Sequence, residues 1–305
     1  MKKLLTAIIP LSMLTVSYGT EVAWNTSFYG SYFDYSGSVI KDDGYTAGVY
    51  GYLGMGLEHS LEGEIDYTKI NYLGSGSLKQ WDFTLLYTYY GLTGSKVRFG
   101  GHYISSDDSA TDSGIVIYGG YEETVDRRYD WGVDGAYSYY DNYSIEKTYV
   151  RTITRGMRSW TYYTNASVNG LSVFQISPKL GISVPSTSIG DIYLETRGYY
   201  IRLSDDVGYG QNFFSIEENV TVRYGEFQFD LYGWVGEQEF AVKKYGFAVY
   251  NLSEKYKYGF GGSIRYNMSE NSFVTAGIKR ESFKEIDNPQ TVDVSTLYFF
   301  AGITF

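Results

Sequence analysis

The chain has 305 residues, with 36 glycines, 35 tyrosines and no cysteine, and aromatic residues make up 19% of it. Its 35 acidic residues exceed its 25 basic ones, which gives a net charge of −10. An acidic chain lacks the basic surface that binds nucleic acid, so we expect no nucleic-acid partner. A chain without cysteine cannot be stabilised by disulfides, so its fold must be held together by other means.

The N-terminus has the parts of a secretory signal peptide. Lys2 and Lys3 supply positive charge, a short apolar stretch follows, and small residues lead up to Gly19. The apolar stretch is shorter than the ~20 residues that a membrane-spanning helix needs. We therefore expect residues 1–19 to be a signal peptide cleaved after Gly19, and residues 20–305 to form a single exported domain.

Beyond the N-terminus, apolar and polar residues alternate with a period of two, and helical periodicity is scarce. The alternating segments are roughly 10 to 15 residues long, which exceeds the usual soluble strand and suits a tilted strand that crosses a bilayer. Charges stand on the polar parity in mid-segment, where a packed soluble core would reject them. An apolar outer face around a polar interior is typical of a transmembrane β-barrel. The clearest segments are 80–89, 227–235, 257–266 and 296–305.

Turn residues separate these segments, and short connections alternate with longer, more acidic ones, as periplasmic turns and outer loops do. The short turns are predicted near His59-Ser60, Gly91–Ser95, Tyr224-Gly225 and Asn267–Asn271. The longer loops are predicted at Ser36–Gly44, Ser105–Ser113, Leu203–Gly210 and Glu281–Asp293.

The strand count depends on residues 141–190. Arg155–Arg158 and Asn169-Gly170 both have turn character, and counting both gives 16 strands. Treating the stretch as one irregular loop and a bulged strand gives 14, and 12 stays open because the number must be even. We expect an all-β, antiparallel, up-and-down transmembrane barrel of 16 strands, with 14 as the next count.

The last strand ends on an aromatic residue and has apolar residues at every second position before it. Those positions are Leu297, Phe299, Ala301, Ile303 and Phe305. This pattern resembles the C-terminal signature of Gram-negative outer-membrane barrels, of which the porins match this chain in length. The resemblance implies an outer-membrane location, recognition of the last strand by the barrel-assembly machinery, and contact with outer-membrane lipid and lipopolysaccharide.

A barrel of 14 or 16 strands leaves a lumen that side chains cannot fill. The charged residues and the histidine that we predict to line this pore are Glu62, Glu64, Asp66, Asp82, Arg98, His102, Asp134, Glu195, Arg197, Asp230, Lys257 and Arg265. Acidic residues outnumber basic ones in this set, and acidic rings favour cations. We therefore expect a diffusion channel for ions and small hydrophilic solutes with a mild preference for cations.

Other interpretations of the lumen stay open. The charges could pair across strands for stability alone, and the barrel could be a structural or adhesive surface protein without an open pore. Aromatic residues also fall on the polar parity and could guide sugars or apolar solutes, namely Tyr50, Tyr52, Tyr140, Tyr193, Tyr199, Tyr232 and Trp234. The solute and the oligomeric state are not encoded in any motif.

One charge breaks the pattern, because regular alternation places Glu218 on the lipid face. We expect a β-bulge to turn it inward or a position near the outer rim.

Catalysis, metal binding and cofactor binding have little support. A hydrolase at the barrel mouth would need a positioned nucleophile, base and orienting group. Only His59 and His102 could act as imidazole bases; His102 lies below a loop with several serines and aspartates, but no nucleophile motif accompanies it. Two distant histidines without cysteine form no transition-metal cluster. We expect no enzyme activity, no metal and no cofactor.

Overall fold

A computed structural model describes residues 22–92, 94–155, 158–187, 190–285, 288 and 290–305. The predicted signal peptide, residues 1–19, lies outside the described residues. In the described part of the chain, no helix is long and apolar enough to cross a membrane. Its regular structure is almost entirely β-strand, so the fold is all-β as predicted.

Fourteen strands form one closed barrel in which every neighbouring pair is antiparallel. A further two strands and a short 3-10 helix lie within a loop between β11 and β14. The barrel strands are β1 (Val22–Ser36), β2 (Lys41–Met55), β3 (His59–Tyr72), β4 (Ser77–Leu92), β5 (Ser95–Ser106), β6 (Ile115–Val125), β7 (Tyr129–Arg155), β8 (Arg158–Thr187), β9 (Gly190–Leu203), β10 (Asn212–Tyr224), β11 (Phe227–Gln238), β14 (Glu254–Ser269), β15 (Ser272–Glu285) and β16 (Val292–Thr304). The loop elements are β12 (Val242–Lys243), the 3-10 helix (Lys244–Gly246) and β13 (Ala248–Val249).

The first and last strands close the barrel. β1 and β16 pair without interruption from Asn25, opposite Thr304, to Ser36, opposite Asp293. The backbone N–H of Phe305 donates to the carbonyl of Trp24 at 2.7 Å and continues this ladder. Closure satisfies the backbone groups that an open sheet edge would leave unpaired in lipid. The ladder therefore does what disulfides would do in a soluble exported domain.

The expected count of 16 strands is wrong, and the alternative of 14 is correct. β7 ends at Arg155 and its antiparallel neighbour β8 begins at Arg158, so the chain changes strand where predicted. Asn169-Gly170 is not a turn, because both residues lie inside β8. The ladder shifts register opposite them, where three residues of β7 face Gly170 alone, and Gly170 has a φ of +79°. A left-handed glycine serves a bulge as well as a turn, so the dipeptide indicated the wrong feature.

The barrel has an apolar outer face. Large apolar side chains project from it, with exposed fractions of 66% at Leu180, 64% at Ile278 and 55% at Phe260. The five residues of the C-terminal signature, Leu297, Phe299, Ala301, Ile303 and Phe305, all lie exposed on this face. A cavity of ≈1040 Å³ is an apolar hollow of this outer face over β1–β6. Such an apolar surface is suited to contact with lipid and not with water.

Glu218 also lies on the outer face, and the expectation of a bulge is wrong. β10 pairs with both neighbours without a register shift, so alternation is regular through Glu218. It stands at the middle of the 13-residue strand, not at its rim. The Thr196 hydroxyl donates to its carboxylate at 2.8 Å. A single hydrogen bond offsets part of the cost of a charge on the lipid face.

The two ends of the barrel differ. The end that holds Phe305 and the start of β1 has short connections such as 56–58, 225–226 and 270–271, as predicted; we refer to it as the turn end. The opposite end, the loop end, has longer ones at 107–114 and 204–211, also as predicted. Ser36–Gly44 is shorter than predicted, because β1 and β2 reach into it and leave only 37–40.

Candidate functional site in the barrel lumen

Most of the predicted pore-lining residues lie on the inward parity of their strands. They alternate with the exposed apolar residues of the outer face, as Asp82 does with Trp81 and Phe83 on β4. Lys257 is different, because it lies at a register shift between Tyr256 and Tyr258. The inward residues divide into an acidic wall, a histidine–aspartate pair and a basic cluster, with two residues apart from them.

The acidic wall consists of Glu62, Glu64 and Asp66 on β3. The Tyr29 hydroxyl donates to Asp66 at 3.1 Å, and the Tyr50 hydroxyl donates to Glu62 at 2.5 Å. None of the three carboxylates has an ion pair with another described residue. This wall is therefore the part of the described lumen in which neighbouring acidic side chains have no cation partner.

Asp82 and His102 form a buried pair between β4 and β5. His102 Nε2 lies 3.1 Å from Asp82 Oδ1, and its Nδ1 lies 2.8 Å from the Thr84 hydroxyl. The Gln80 amide donates to both oxygens of Asp82. The structure thus places His102 against Asp82 and not against the 107–114 loop, although it also brings a hydroxyl to the imidazole.

The basic cluster is built around one tyrosine. Arg98, Lys179 and Arg197 converge from β5, β8 and β9 on Tyr245, and we call these three residues the cation cage. The Arg98 guanidinium lies 4.2 Å from the centroid of the Tyr245 ring. Lys179 Nζ and Arg197 Nη2 donate to its hydroxyl at 3.1 Å and 3.3 Å. Cations over an aromatic face are attracted by its quadrupole, so the cage binds the ring of Tyr245 as well as its hydroxyl.

Carboxylates stand behind the cage. Glu122 accepts from Lys96 and Arg98 at 2.8 Å each and from Lys179 at 2.5 Å. Arg197 donates to Asp134 at 2.7 Å and to Glu195 at 3.3 Å. Sequence analysis named Arg98, Asp134, Glu195 and Arg197 but missed Glu122 and Lys179, which stand on the same inward parity. Alternation within each strand predicts both, since Glu122 follows the inward positions Val116, Tyr118 and Gly120 of β6. Lys179 likewise follows the inward positions Gln175 and Ser177 of β8.

The last two predicted residues lie near the turn end and join neither group. Asp230 accepts from Thr221, Gln228 and Ser263. The Arg265 guanidinium lies 3.6 Å from the centroid of the Phe273 ring.

Tyr245 belongs to a loop that folds into the lumen, residues 239–253, which we call the inward loop. A loop folded in as a constriction was expected, but the sequence pattern did not identify this segment. The Gln175 side chain accepts from the Val242 backbone N–H at 2.9 Å and donates to the Val242 carbonyl at 2.6 Å. This bidentate contact reproduces a strand–strand pairing with a side chain and fixes the loop against β8.

The inward loop reaches strands all around the barrel. Phe247 contacts Tyr50 of β2, with ring centroids 5.6 Å apart. Lys243 forms an ion pair with Glu217 of β10 at 2.9 Å, and the Tyr250 hydroxyl donates to Glu281 of β15 at 2.7 Å. The loop therefore crosses the lumen from wall to wall.

The start of the loop is buried in an apolar cluster at the loop end. Phe240 and Ala241 are fully buried there among residues of β5 and β7–β10, including Ile104, Leu171, Ile201 and Phe213. Glu239 is also fully buried, and neither oxygen of its carboxylate has a hydrogen-bond partner among the described residues. Burial raises the pKa of Glu239 from its usual 4.5 to about 8.

Open space lies on both sides of the inward loop. A cavity of ≈220 Å³ towards the loop end is lined by residues that include Phe33, Tyr35, Tyr250 and Tyr256. Another of ≈350 Å³ lies at the turn end beside Arg265. The gap between the loop and the cation cage measures only ≈20 Å³, which is about enough for one water molecule. The loop therefore leaves almost no open space beside the cage.

Comparisons with known proteins show the fold. No protein-family profile and no curated protein sequence matches the chain. Among solved structures, the chain is similar to the CymD monoaromatic hydrocarbon channel, with 8% identity, a TM-score of 0.56, and coverage of 92% of this chain and 88% of that one.

Two further structures align over most of their length. A loop-deletion mutant of OmpT, an outer membrane protein of Vibrio cholerae, has 10% identity, a TM-score of 0.46, and coverage of 94% of this chain and 100% of that one. OccK1 of Pseudomonas aeruginosa has 11% identity, a TM-score of 0.40, and coverage of 93% and 99%. The similarity to the CymD channel carries the conclusion that the chain has the fold of the porin-like outer-membrane β-barrels.

Proposed function

We propose that the protein is an outer-membrane channel through which ions and small hydrophilic solutes diffuse, and that the inward loop sets its narrowest point. The observation that carries this proposal is a charged, hydrogen-bonded inner wall inside an apolar barrel, with one loop crossing it. A purely structural barrel gains nothing from lumen charges that have no ion-pair partner, since each desolvated charge is costly. The similarity in fold to a hydrocarbon channel agrees with a transport role.

The proposal includes a mild preference for cations. The cations of the cage are already paired with carboxylates, whereas the acidic wall of Glu62, Glu64 and Asp66 is not. The inward loop lies close to this wall, because Phe247 contacts Tyr50, whose hydroxyl donates to Glu62. Acidic residues near a constriction that have no ion-pair partner raise the local concentration of cations.

Single-channel recording in planar bilayers tests the channel. We expect discrete conductance steps and a reversal potential that favours K⁺ over Cl⁻. Neutralising the wall (Glu62→Gln, Glu64→Gln and Asp66→Asn together) should move the permeability ratio towards unity. Asp141→Asn is the matched control, because Asp141 is exposed and accepts from Tyr139 away from the lumen. Complete absence of current at all voltages would favour a structural or adhesive barrel instead.

We also propose that the protein is not an enzyme. Thr84, His102 and Asp82 lie in hydrogen-bonded sequence, an arrangement that could activate a nucleophile. All three side chains are buried in the barrel wall, with Asp82 also bound by Gln80, so a role in wall stability is favoured. His102→Ala is expected to leave hydrolysis of ester and peptide substrates at background. A hydrolytic activity that His102→Ala abolishes would overturn this view.

The remaining expectations about location form part of the same proposal. The chain is exported with residues 1–19 as a cleaved signal peptide and is inserted by the barrel-assembly machinery in a Gram-negative outer membrane. Lipid and lipopolysaccharide surround its apolar face, and small solutes are its ligands. Fractionation of cells that express the full chain, with N-terminal sequencing of the mature protein, tests export, cleavage and location.

A further inference from the structure

The cation cage has more donor capacity than its contacts use. The Arg98 side chain is only 10% exposed, and its Nη2 donates to Glu122, while its Nη1 is buried without an acceptor among the described residues. A buried donor without a partner is costly, and it marks a place where an acceptor is expected. The cage is therefore incompletely satisfied by Tyr245.

The cage meets Tyr245 through a neutral hydroxyl. Lys179 and Arg197 both donate to the oxygen of this hydroxyl, at 3.1 Å and 3.3 Å. A carboxylate in place of the phenol hydroxyl would accept charge-assisted hydrogen bonds from both cations, which are the stronger kind.

The inward loop holds Tyr245 in a conformation that is not its most stable one. Lys244 and Tyr245 have φ values of +50° and +57°, and Gly246 follows at +90°. Left-handed backbone is strained at residues other than glycine. A ligand that replaces Tyr245 in the cage would allow this turn to relax.

We propose that the cation cage is a binding site for a small aromatic carboxylate, in which the ring and hydroxyl of Tyr245 occupy the places of the ligand's ring and carboxylate. The ring would lie against the Arg98 guanidinium, as the Tyr245 ring does. The carboxylate would accept from Lys179 and Arg197, and from the unused Nη1 of Arg98. The inference rests on the proposed channel only for the route by which the solute reaches the cage.

Isothermal titration of the mature barrel in detergent micelles with sodium benzoate tests the site. Tyr245→Ala opens a phenol-sized space inside the cage, and we expect it to bind benzoate at least tenfold more tightly than phenol, as one or more charge-assisted hydrogen bonds imply. Phe247→Ala is the matched control, since it opens a similar space against Tyr50, away from the cations. Adding Arg98→Gln to Tyr245→Ala should weaken benzoate binding about tenfold and leave phenol binding unchanged.

The wild-type protein provides a test that needs no variant. Saturating benzoate should displace Tyr245 and speed hydrogen exchange in residues 239–253, with phenol having less effect. Unchanged exchange would overturn the assignment, as would equal binding of benzoate by Tyr245→Ala and Phe247→Ala. Binding is measured in micelles, so a barrel that binds benzoate without conducting ions would refute the channel and leave the cage site in place.

Discussion

Glu239 offers the most direct test of how the inward loop is held. Its carboxyl group is fully buried between the end of β11 and Phe240. The charge of Asp206 raises the pKa of Glu239, and the charge of Lys255 lowers it. Tyr143 is also close enough for the charge of Glu239 to raise the pKa of its hydroxyl. Burial is the largest effect and keeps this acid protonated while the loop is docked.

The sign of the pH dependence follows from this pKa. The docked loop holds a proton on Glu239 up to about pH 8, whereas the same group in an open, solvated loop ionises near its usual 4.5. Docking is therefore strongest at low pH and is lost as the pH rises through the docked pKa. In the window between roughly pH 6 and pH 8, each pH unit weakens docking by about 1.4 kcal/mol, or about 3 kcal/mol in all.

Hydrogen exchange of residues 239–253 measures this docking, with the 107–114 loop as an internal reference for the intrinsic effect of pH. In the wild-type protein, the ratio of the two exchange rates should rise steeply between pH 6 and pH 8. Glu239→Gln, which is neutral at every pH, should flatten the profile. Glu237→Gln is the matched control, because that carboxylate is half-exposed and pairs with Lys255. A wild-type profile as flat as that of Glu239→Gln would refute the reasoning.

Three further outcomes are expected. Gly246→Ala places a Cβ 2.1 Å from Cε1 of the Tyr118 ring, at a φ of +90°, so it should displace the inward loop and raise single-channel conductance; an unchanged conductance would contradict the constriction. Phe305→Ala should lower the fraction of chains assembled in the membrane without changing the stability of the folded barrel, since Phe305 is 72% exposed; a large stability loss would contradict an assembly role. Glu218→Leu removes a lipid-facing charge and the hydrogen bond from Thr196, and should stabilise the barrel in vesicles by about 1 kcal/mol in guanidinium titrations.

The barrel fold could be predicted because its determinants are local. Successive residues of a strand point to opposite faces, so the sequence of β4 separates Asp82 and Thr84 from Phe83 and Leu85 without any knowledge of the neighbours. The same alternation placed Glu218 correctly on the lipid face, and the expected bulge was an unnecessary correction. Strand count was harder, because Asn169-Gly170 satisfies the requirements of a turn and of a bulge equally well.

The inward loop could not be predicted by the same reasoning. Outer loops are expected to be polar and acidic, yet residues 239–253 include Phe240, Val242 and Phe247. A loop that folds into a barrel is buried on contact with the wall, so its composition approaches that of a strand. The adjacent lysines Lys243 and Lys244, within a mostly apolar stretch, distinguish it from an alternating membrane-spanning segment.

The sequence alone determined the class of the protein, its inside and outside, and the signature of its last strand, because these depend on a period of two and on single residues. The tertiary structure decided which inward charges meet. Lys179 and Arg197 face each other across β8 and β9, but Arg98 meets them only because the curved wall brings β5 towards them. It also decided that Tyr245 lies between these three cations. A contact between a loop and the opposite strands produces no repeating pattern in the sequence of either.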